Sequence, residues 1–501
     1  MQLMTSMLGL EERTLLSDRE ARMSAFGNLT GLLQIRSLTS VLDILREVEY
    51  SNLSYLGEKL QSLRGRRFDF IGGGISGVTS AYFTGELSRL FDLGWEVHLW
   101  DRLDGVGLKT TKDSAARIRT SMFGTPGEVS GNLATSIFFE NLPGLLARGA
   151  VEKRVEFSPD DVHTGLSRCG YLWLFEDFSS REHVATSKRL LDQLGVPTYF
   201  LQPDEVASVL MPGINQDRFD FAYFCPTDAY VEPTSIVSSL HRYNRKVLGV
   251  VSHFNEEAVE VDLRAGEPIR FRTRNLSTGA ETTHKTNYLG LTTGACSKEI
   301  GKRFVLDGTK TDLAIPVIPK PRQLTYAVLQ GDANLEEHEP FNILMGNGAY
   351  WTRETPRSKS LIFGFAWEGD HEVDPRHVFA ETIATDKYFI DNMLQGDGRL
   401  DGIHRDISLG NEGLRIVRSK GNLYGETIDG KYLVGLVDAA NNVRPSGRVG
   451  IVSGDNGHGI MSSLGNAVQL VFRLTEIVTE EYQLYNPNRS MDGDRGDTKR
   501  L

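Results

Sequence analysis

Phe68-Asp69-Phe70-Ile71-Gly72-Gly73-Gly74-Ile75-Ser76-Gly77 is an apolar run ending in G-x-G-x-x-G. In such a turn Gly72 permits the tight bend, Gly74 lets a pyrophosphate approach the backbone, and Gly77 lets helix and strand pack closely. Ile75 and Ser76 open the following helix, whose unpaired N–H groups and dipole favour anionic phosphates. A second apolar stretch, Trp95-Glu96-Val97-His98-Leu99-Trp100, ends in Asp101 and Arg102. A carboxylate there can accept hydrogen bonds from an adenosine ribose. A glycine triplet alone is a weak signal. Strand, turn, helix, strand and terminal acid in this order predict a dinucleotide-binding domain.

The rest of the chain sets bounds on that reading. At 501 residues it is long enough for two or three domains with large cores. A net charge of −11 argues against nucleic acid and against an anionic membrane surface, since both attract basic patches. No apolar run approaches the roughly 20 residues that span a bilayer, and Met1 to Leu10 does not read as a secretion signal. Three widely spaced cysteines, Cys169, Cys225 and Cys296, show no metal-like spacing and fit a reduced compartment. The expectation is a cytoplasmic enzyme with no metal.

Before the first strand, Val41, Ile44, Leu45, Val48, Tyr55, Leu56, Leu60 and Leu63 recur at helical spacing. They predict an amphipathic helix packed on the main body or on a second subunit, or a docking element for a partner protein. Strands are expected at 171–175, 219–224, 247–251, 259–263, 288–292, 323–329, 360–365 and 450–453. Helices are expected at 181–194, 235–244, 378–393 and 461–478. The tail 481–501, rich in Asn, Asp, Gly and Arg, reads as frayed. This mixture suits a nucleotide domain whose chain leaves to build a strand-rich second domain and then returns.

From residue 66 to about 480 the sequence resembles the D-amino-acid oxidase superfamily of FAD-dependent amine oxidoreductases, which includes sarcosine and glycine oxidases. Several segments carry the resemblance in order. Asp113-Ser114-Ala115-Ala116-Arg117-Ile118-Arg119-Thr120 is similar to the arginine-bearing segment beside the flavin. Thr227-Asp228-Ala229-Tyr230-Val231-Glu232-Pro233 resembles the return into the FAD domain. Leu289-Gly290-Leu291-Thr292-Thr293-Gly294-Ala295-Cys296 resembles the strand and turn that flank the cofactor, and Val259 falls where a backbone contact to adenine is usual. Asn456-Gly457-His458-Gly459-Ile460-Met461 resembles the helix start whose N–H groups face the flavin's pyrimidine edge.

The resemblance implies an α/β (α+β two-domain) fold: a Rossmann-type FAD-binding domain and an antiparallel-sheet substrate domain, plus the N-terminal helical extension, residues 1–64. The FAD domain would comprise 65–160, 228–308 and 425–480, and the substrate domain 161–227 and 309–424. Asn422 stands where covalent members attach FAD through cysteine, so non-covalent FAD is expected. Met461 replaces the lysine that binds substrate carboxylate in sarcosine oxidases, which puts a sarcosine-like substrate in doubt.

The same resemblance supplies candidates for chemistry. Arg415 matches the arginine that grips substrate carboxylate in glycine-oxidase-like members; a surface salt bridge is the plainer alternative. Arg119 matches the flavin-side arginine, with Arg117 its neighbour; one of the two could contact only pyrophosphate. Tyr350, Trp351 and Arg353 fall on the strand region lining the substrate cavity, though the aromatics could equally fill the core. Arg322 reads as structural. His458 is a candidate general base, or a side chain that shapes the site. The implied reaction is oxidation of an amine or amino acid to an imine by hydride transfer to FAD, with molecular oxygen as acceptor giving hydrogen peroxide. Alternatives are a dehydrogenase using another acceptor, and a flavoprotein that modifies a partner polypeptide. A homo-oligomer through the N-terminal helices is also open.

Overall fold

The computed structural model describes residues 40–47, 56–330 apart from positions 124, 159, 161 and 169, then 342–345, 349–354, 358–364, 403, 414–437 and 448–477. Its centre is a six-stranded sheet in the order Leu433–Leu436, Val449–Ser453, Tyr288–Leu291, Arg67–Ile71, Glu96–Trp100, Val251–His253. Every pairing is parallel except the first, which is antiparallel.

Side-chain alternation, with period 2 along a strand, divides this sheet between two layers. Phe68, Phe70, Val97 and Leu99 face the helices Ile75–Leu90, Pro126–Glu152, Pro233–Lys246 and Ser463–Leu474. Ile71, Trp100, Leu289, Leu291 and Ile451 face the other way, onto the core shared with Val261, Ile269 and Phe271 of a five-stranded sheet. Burying each such large apolar side chain stabilises the fold by about 1.5–3 kcal/mol. Asp69 is fully buried on the second face, where it accepts from the Trp100 indole N–H at 2.8 Å and pairs with Arg67 at 2.9 Å.

The second domain is an eight-stranded sheet in the order Leu414–Glu426, Ile318–Leu329, Ser360–Gly364, Tyr350–Arg353, Asn342–Met345, Tyr171–Phe175, Phe221–Cys225, Tyr199–Leu201. It is antiparallel apart from the pairing of Asn342–Met345 with Tyr171–Phe175. Leu172, Leu174, Ala222, Phe224, Ala327, Trp351, Leu361 and Phe363 form an apolar core on one face. Tyr171, Trp173, Phe175, Phe221 and Tyr223 line the other, with Leu324, Tyr326 and Ile362 further along. The two-domain α/β architecture expected from the sequence is the one observed.

Local expectations fare unevenly. The helix Arg181–Gln193 and the strand Tyr171–Phe175 stand where periodicity put them. Residues 247–251 do not form the expected strand: the helix continues to Lys246 with Val247 as its C-cap, and the strand is Val251–His253. Of the expected N-terminal helix, the described residues hold two helical stretches, Val41–Glu47 and Leu56–Gln61. The last helix begins at Ser463, two residues later than expected. The expected helix 378–393 and the tail 481–501 lie outside the described residues, as does Cys169.

A 27-residue helix, Pro126–Glu152, has no counterpart in the sequence reading. Thr125 caps it through Oγ1, which accepts from the Glu128 N–H, and Pro126 occupies its first turn. Its internal glycines and Pro143 read locally as breakers. In the fold they allow close approach: a Cβ on Gly465 would stand 2.8 Å from Gly131 Cα.

Candidate functional site

The turn after the first strand is held by contacts that only glycine permits. Gly72 has φ +114°, and a Cβ on Gly77 would stand 1.8 Å from the Gly72 carbonyl oxygen. Gly74 differs: a Cβ there would find only Thr111 Oγ1, at 3.4 Å. Its backbone is therefore open toward the space in front of the helix. The Asp101 carboxylate accepts from Gly73 N–H at 2.6 Å and Leu103 N–H at 2.8 Å, which ties the turn to the end of the second strand. Burial pushes the Asp101 carboxyl up, and the Leu103 and Gly73 N–H groups partly offset that.

This turn opens onto a cleft enclosing about 1540 Å³ of space, open solvent included. Gly72, Gly74, Ile75, Ser76, Asp101, Arg102, Thr293, Gly294, Gly457, Gly459 and Ile460 all line it. Gly77 lies behind, acting through packing. The cleft also contains groups that the sequence reading missed. The loop from Gly107 to Thr111 folds over the turn, with Gly107 N–H donating to Gly73 O at 2.8 Å and Thr111 Oγ1 accepting from Ile75 N–H at 3.2 Å. Leu423, Tyr424, Gly425 and Asp455 close the far end. Only the Thr110-Thr111 hydroxyls and the carboxyl of Asp455 offered a sequence signal, and neither belongs to the glycine pattern.

At that end the chain from Gly454 to Gly459 is a sequence of turns with positive φ at Gly454, Asn456 and Gly457. Asn456 does not line the cleft but fixes the loop. Its Oδ1 accepts from Thr427 N–H at 2.9 Å, and its Nδ2 donates to Gly454 O at 2.6 Å. Met461 is buried in the main core, so the position matching a substrate-binding lysine is a packing position here.

His458 and Arg119 meet directly. The Arg119 guanidinium donates to His458 Nε2 and lies 5.1 Å from the Phe123 ring centroid and 4.9 Å from that of Trp173. Burial, reinforced by the Arg119 charge, holds His458 well below the usual imidazole range. Arg117 lies 5.0 Å over the Tyr230 ring, on a short strand paired with Ala229–Tyr230. Ile118 between the two arginines is buried in the helix-side core. None of these three lines the cleft.

Four other candidates lie off the cleft. Val259 is the extra residue at a β-bulge between Ala258 and Glu260, and its neighbours Glu257 and Ala258 line the cleft instead. Tyr350 and Arg353 were expected on the strand region lining the substrate cavity, and strand alternation turns them to opposite faces. Tyr350 packs with Tyr326 and Ile362 on the aromatic face; Trp351 belongs to the opposite core, and Arg353 has the same parity, paired with Leu361 of that core. Arg415 is exposed opposite Val328. At about 3.4 Å per residue, it stands roughly 27 Å along its strand from Leu423 at the cleft. Arg322 pairs with Glu426 and lies over the Tyr424 ring. Among the described residues no group of three or more His, Cys, Asp or Glu is arranged to hold a metal ion.

A family model described as FAD dependent oxidoreductase matches residues 71–472. The chain belongs to that family. No curated protein matches it. Among solved structures, the oxidoreductase is similar to L-proline dehydrogenase from P. horikoshii, with a TM-score of 0.61 and 19% identity, covering 85% of this chain and 97% of that one. It is also similar to glycine oxidase from Geobacillus kaustophilus, with a TM-score of 0.60 and 16% identity, covering 85% and 100%. A third is L-alpha-glycerophosphate oxidase from Mycoplasma pneumoniae with FAD bound, with a TM-score of 0.61 and 14% identity, covering 82% and 95%.

FAD is the cofactor of this oxidoreductase, and the cleft suits it. The open backbone at Gly74 and the helix start at Ile75 and Ser76 would take the pyrophosphate, and Asp101 the adenosine ribose. The Gly457–Ile460 turn would meet the flavin end. Bound there, FAD supplies a two-electron acceptor.

Proposed function

We propose that the protein oxidises the C–N bond of an amine or amino acid, hydride passing to FAD and an imine leaving for hydrolysis. The observation that carries this reading is the aromatic face of the eight-stranded sheet with a buried arginine beside it. Tyr350 lies close enough to Tyr424, Tyr171, Arg117 and Tyr326 for each to act on it electrostatically, and burial pushes its hydroxyl well above the usual phenol range. Aromatic walls of this kind would exclude water and orient a small substrate bound against them. Arg117 is the carboxylate anchor, because a guanidinium gives directional, bidentate recognition. Arg119 is committed to His458, and Arg415 lies too far away. The names of two similar structures, proline dehydrogenase and glycine oxidase, agree with an amino-acid substrate.

The protein contributes positioning. Aromatic walls hold the reacting C–H bond at the flavin, and near-attack placement supplies much of the rate. His458 does not accept the amine's proton, since a general base needs a pKa near the working pH and this imidazole lies well below it. Oxygen is the proposed electron acceptor, giving hydrogen peroxide. Anaerobic bleaching of the bound flavin by a panel of amines and D- and L-amino acids tests the substrate class. Failure of every nitrogen compound, with bleaching by an alcohol such as glycerophosphate, would overturn the reading. Peroxide formation from the best amine in air, against transfer only to an added quinone or dye, decides the acceptor.

A further inference from the structure

Asp455 is a carboxyl in the cofactor cleft with no part in the chemistry described so far. It lines the cleft together with Gly457 and Gly459, and its Oδ2 lies 2.2 Å from where a Cβ on Gly459 would be. The surface it leaves uncovered opens onto the cleft. Its loop is held on the C-terminal side, by Asn456 to Thr427 and by His458 N–H donating to the Asp455 carbonyl at 2.7 Å, and the Gly457 N–H bonds the carboxylate itself. The groups facing it are Tyr424 and Glu426 from the strand Leu414–Glu426, Tyr432 from the segment before Leu433, and the N–H of Gly457. The cations of that neighbourhood, Arg322 and Lys320, both pair with Glu426.

We propose that Asp455 is the proton-linked group of the cofactor site: its carboxylate takes up one proton from solvent as FAD is reduced, and releases it on reoxidation. In balance, the substrate carbon loses a hydride, two electrons and one proton reach FAD, and the carbon–nitrogen bond becomes double. Asp455–COO⁻ plus one solvent proton becomes Asp455–COOH. On reoxidation the two electrons and the proton that reached FAD leave to the acceptor, and the Asp455 proton returns to solvent. The physical cause is like-charge repulsion in a low-dielectric cleft, which raises a carboxyl's pKa when negative charge appears beside it. Burial, with Glu426 adding to it, already pushes the Asp455 carboxyl up to about 6, so a modest added charge carries it past neutrality. The inference rests on FAD occupying this cleft and not on the identity of the substrate.

The test is the midpoint potential of bound FAD against pH, measured on the holoenzyme with mediator dyes and no substrate. In the wild type, the reduction equilibrium should change hundredfold per pH unit just above pH 6, about 59 mV for a two-electron couple. Asp455→Asn should reduce this to tenfold, about 30 mV, and Asp455→Glu should restore the steeper slope. Identical slopes in wild type and Asp455→Asn would overturn the proposal. Should Asp455→Asn lose its FAD, the reduced-minus-oxidised infrared difference spectrum of the wild type decides. At pH 7 the proposal requires a new protonated-carboxyl band that shifts in D2O, and its absence refutes it.

Discussion

Arg119 donates a hydrogen bond to Nε2 of His458 while its guanidinium lies over the rings of both Phe123 and Trp173. That contact assigns the tautomer, because an imidazole accepting at Nε2 carries its proton at Nδ1. It also removes both residues from the roles their positions in the sequence suggest. The arginine is occupied, and the histidine is a weak base.

His458→Asn should therefore leave the pH inflections of kcat/KM where they are in the wild type, while lowering activity by disturbing Arg119. Loss of an acidic-limb inflection in the variant would reinstate His458 as the base.

Stability should fall in acid. His98 Nδ1 and His253 Nε2 are 3.0 Å apart, and the His253 ring stacks on Trp100 with centroids 3.6 Å apart. Burial, helped by His98, lowers His253 to about 4, and burial lowers His98 and His284 as well. Asp69, Arg67, Glu96 and Glu256 are the other charged groups facing this cluster. With folded pKa values below the unfolded 6.5, the unfolded chain binds more protons, so stability rises with pH across that interval. The melting temperature should drop as pH falls from about 6.5 to about 4. His253→Phe, which keeps the stack but cannot titrate, should drop less; equal slopes would exclude the cluster as a source.

Two glycine substitutions separate folding from binding. Gly77→Ala forces a Cβ to within 1.8 Å of the Gly72 oxygen and should give little folded protein. Gly74→Ala meets nothing closer than 3.4 Å, so the apoprotein should melt normally while FAD binds weakly, as titration of flavin fluorescence would report.

Carboxylate recognition distinguishes the arginines. Arg117→Met should raise KM for an amino-acid substrate roughly 10- to 150-fold, the equivalent of the 1.5–3 kcal/mol lost with a charged hydrogen bond. Arg415→Ala should leave KM unchanged. The opposite pattern in steady-state kinetics would return the anchor to Arg415.

FAD should leave the protein on acid precipitation. By the resemblance, Asn422 stands where covalent members carry the attaching cysteine. Its Oδ1 accepts from Thr110 Oγ1 at 3.2 Å and from Leu423 N–H at 2.7 Å. A precipitate that stays yellow after washing would show a covalent bond.

Residues 68–101 were enough to read the nucleotide turn, because it depends on neighbours in the chain: a strand, three glycines, a helix start and a carboxylate. The Gly72–Gly77 contact and the Asp101 bond to Gly73 are short-range consequences of that order. The helix Pro126–Glu152 was not legible, since its apolar residues are buried on several sides and its glycines make sense only against Gly465 and other partners distant in sequence. Which arginine meets a substrate was likewise beyond local pattern. Arg119, Arg353 and Arg415 share one side-chain chemistry, yet a histidine 339 positions away engages the first. Strand parity turns the second to the opposite core, and the length of an edge strand carries the third into solvent. Short-range stereochemistry thus determined the cofactor fold, while the assignment of charged groups to the site depended on long-range packing.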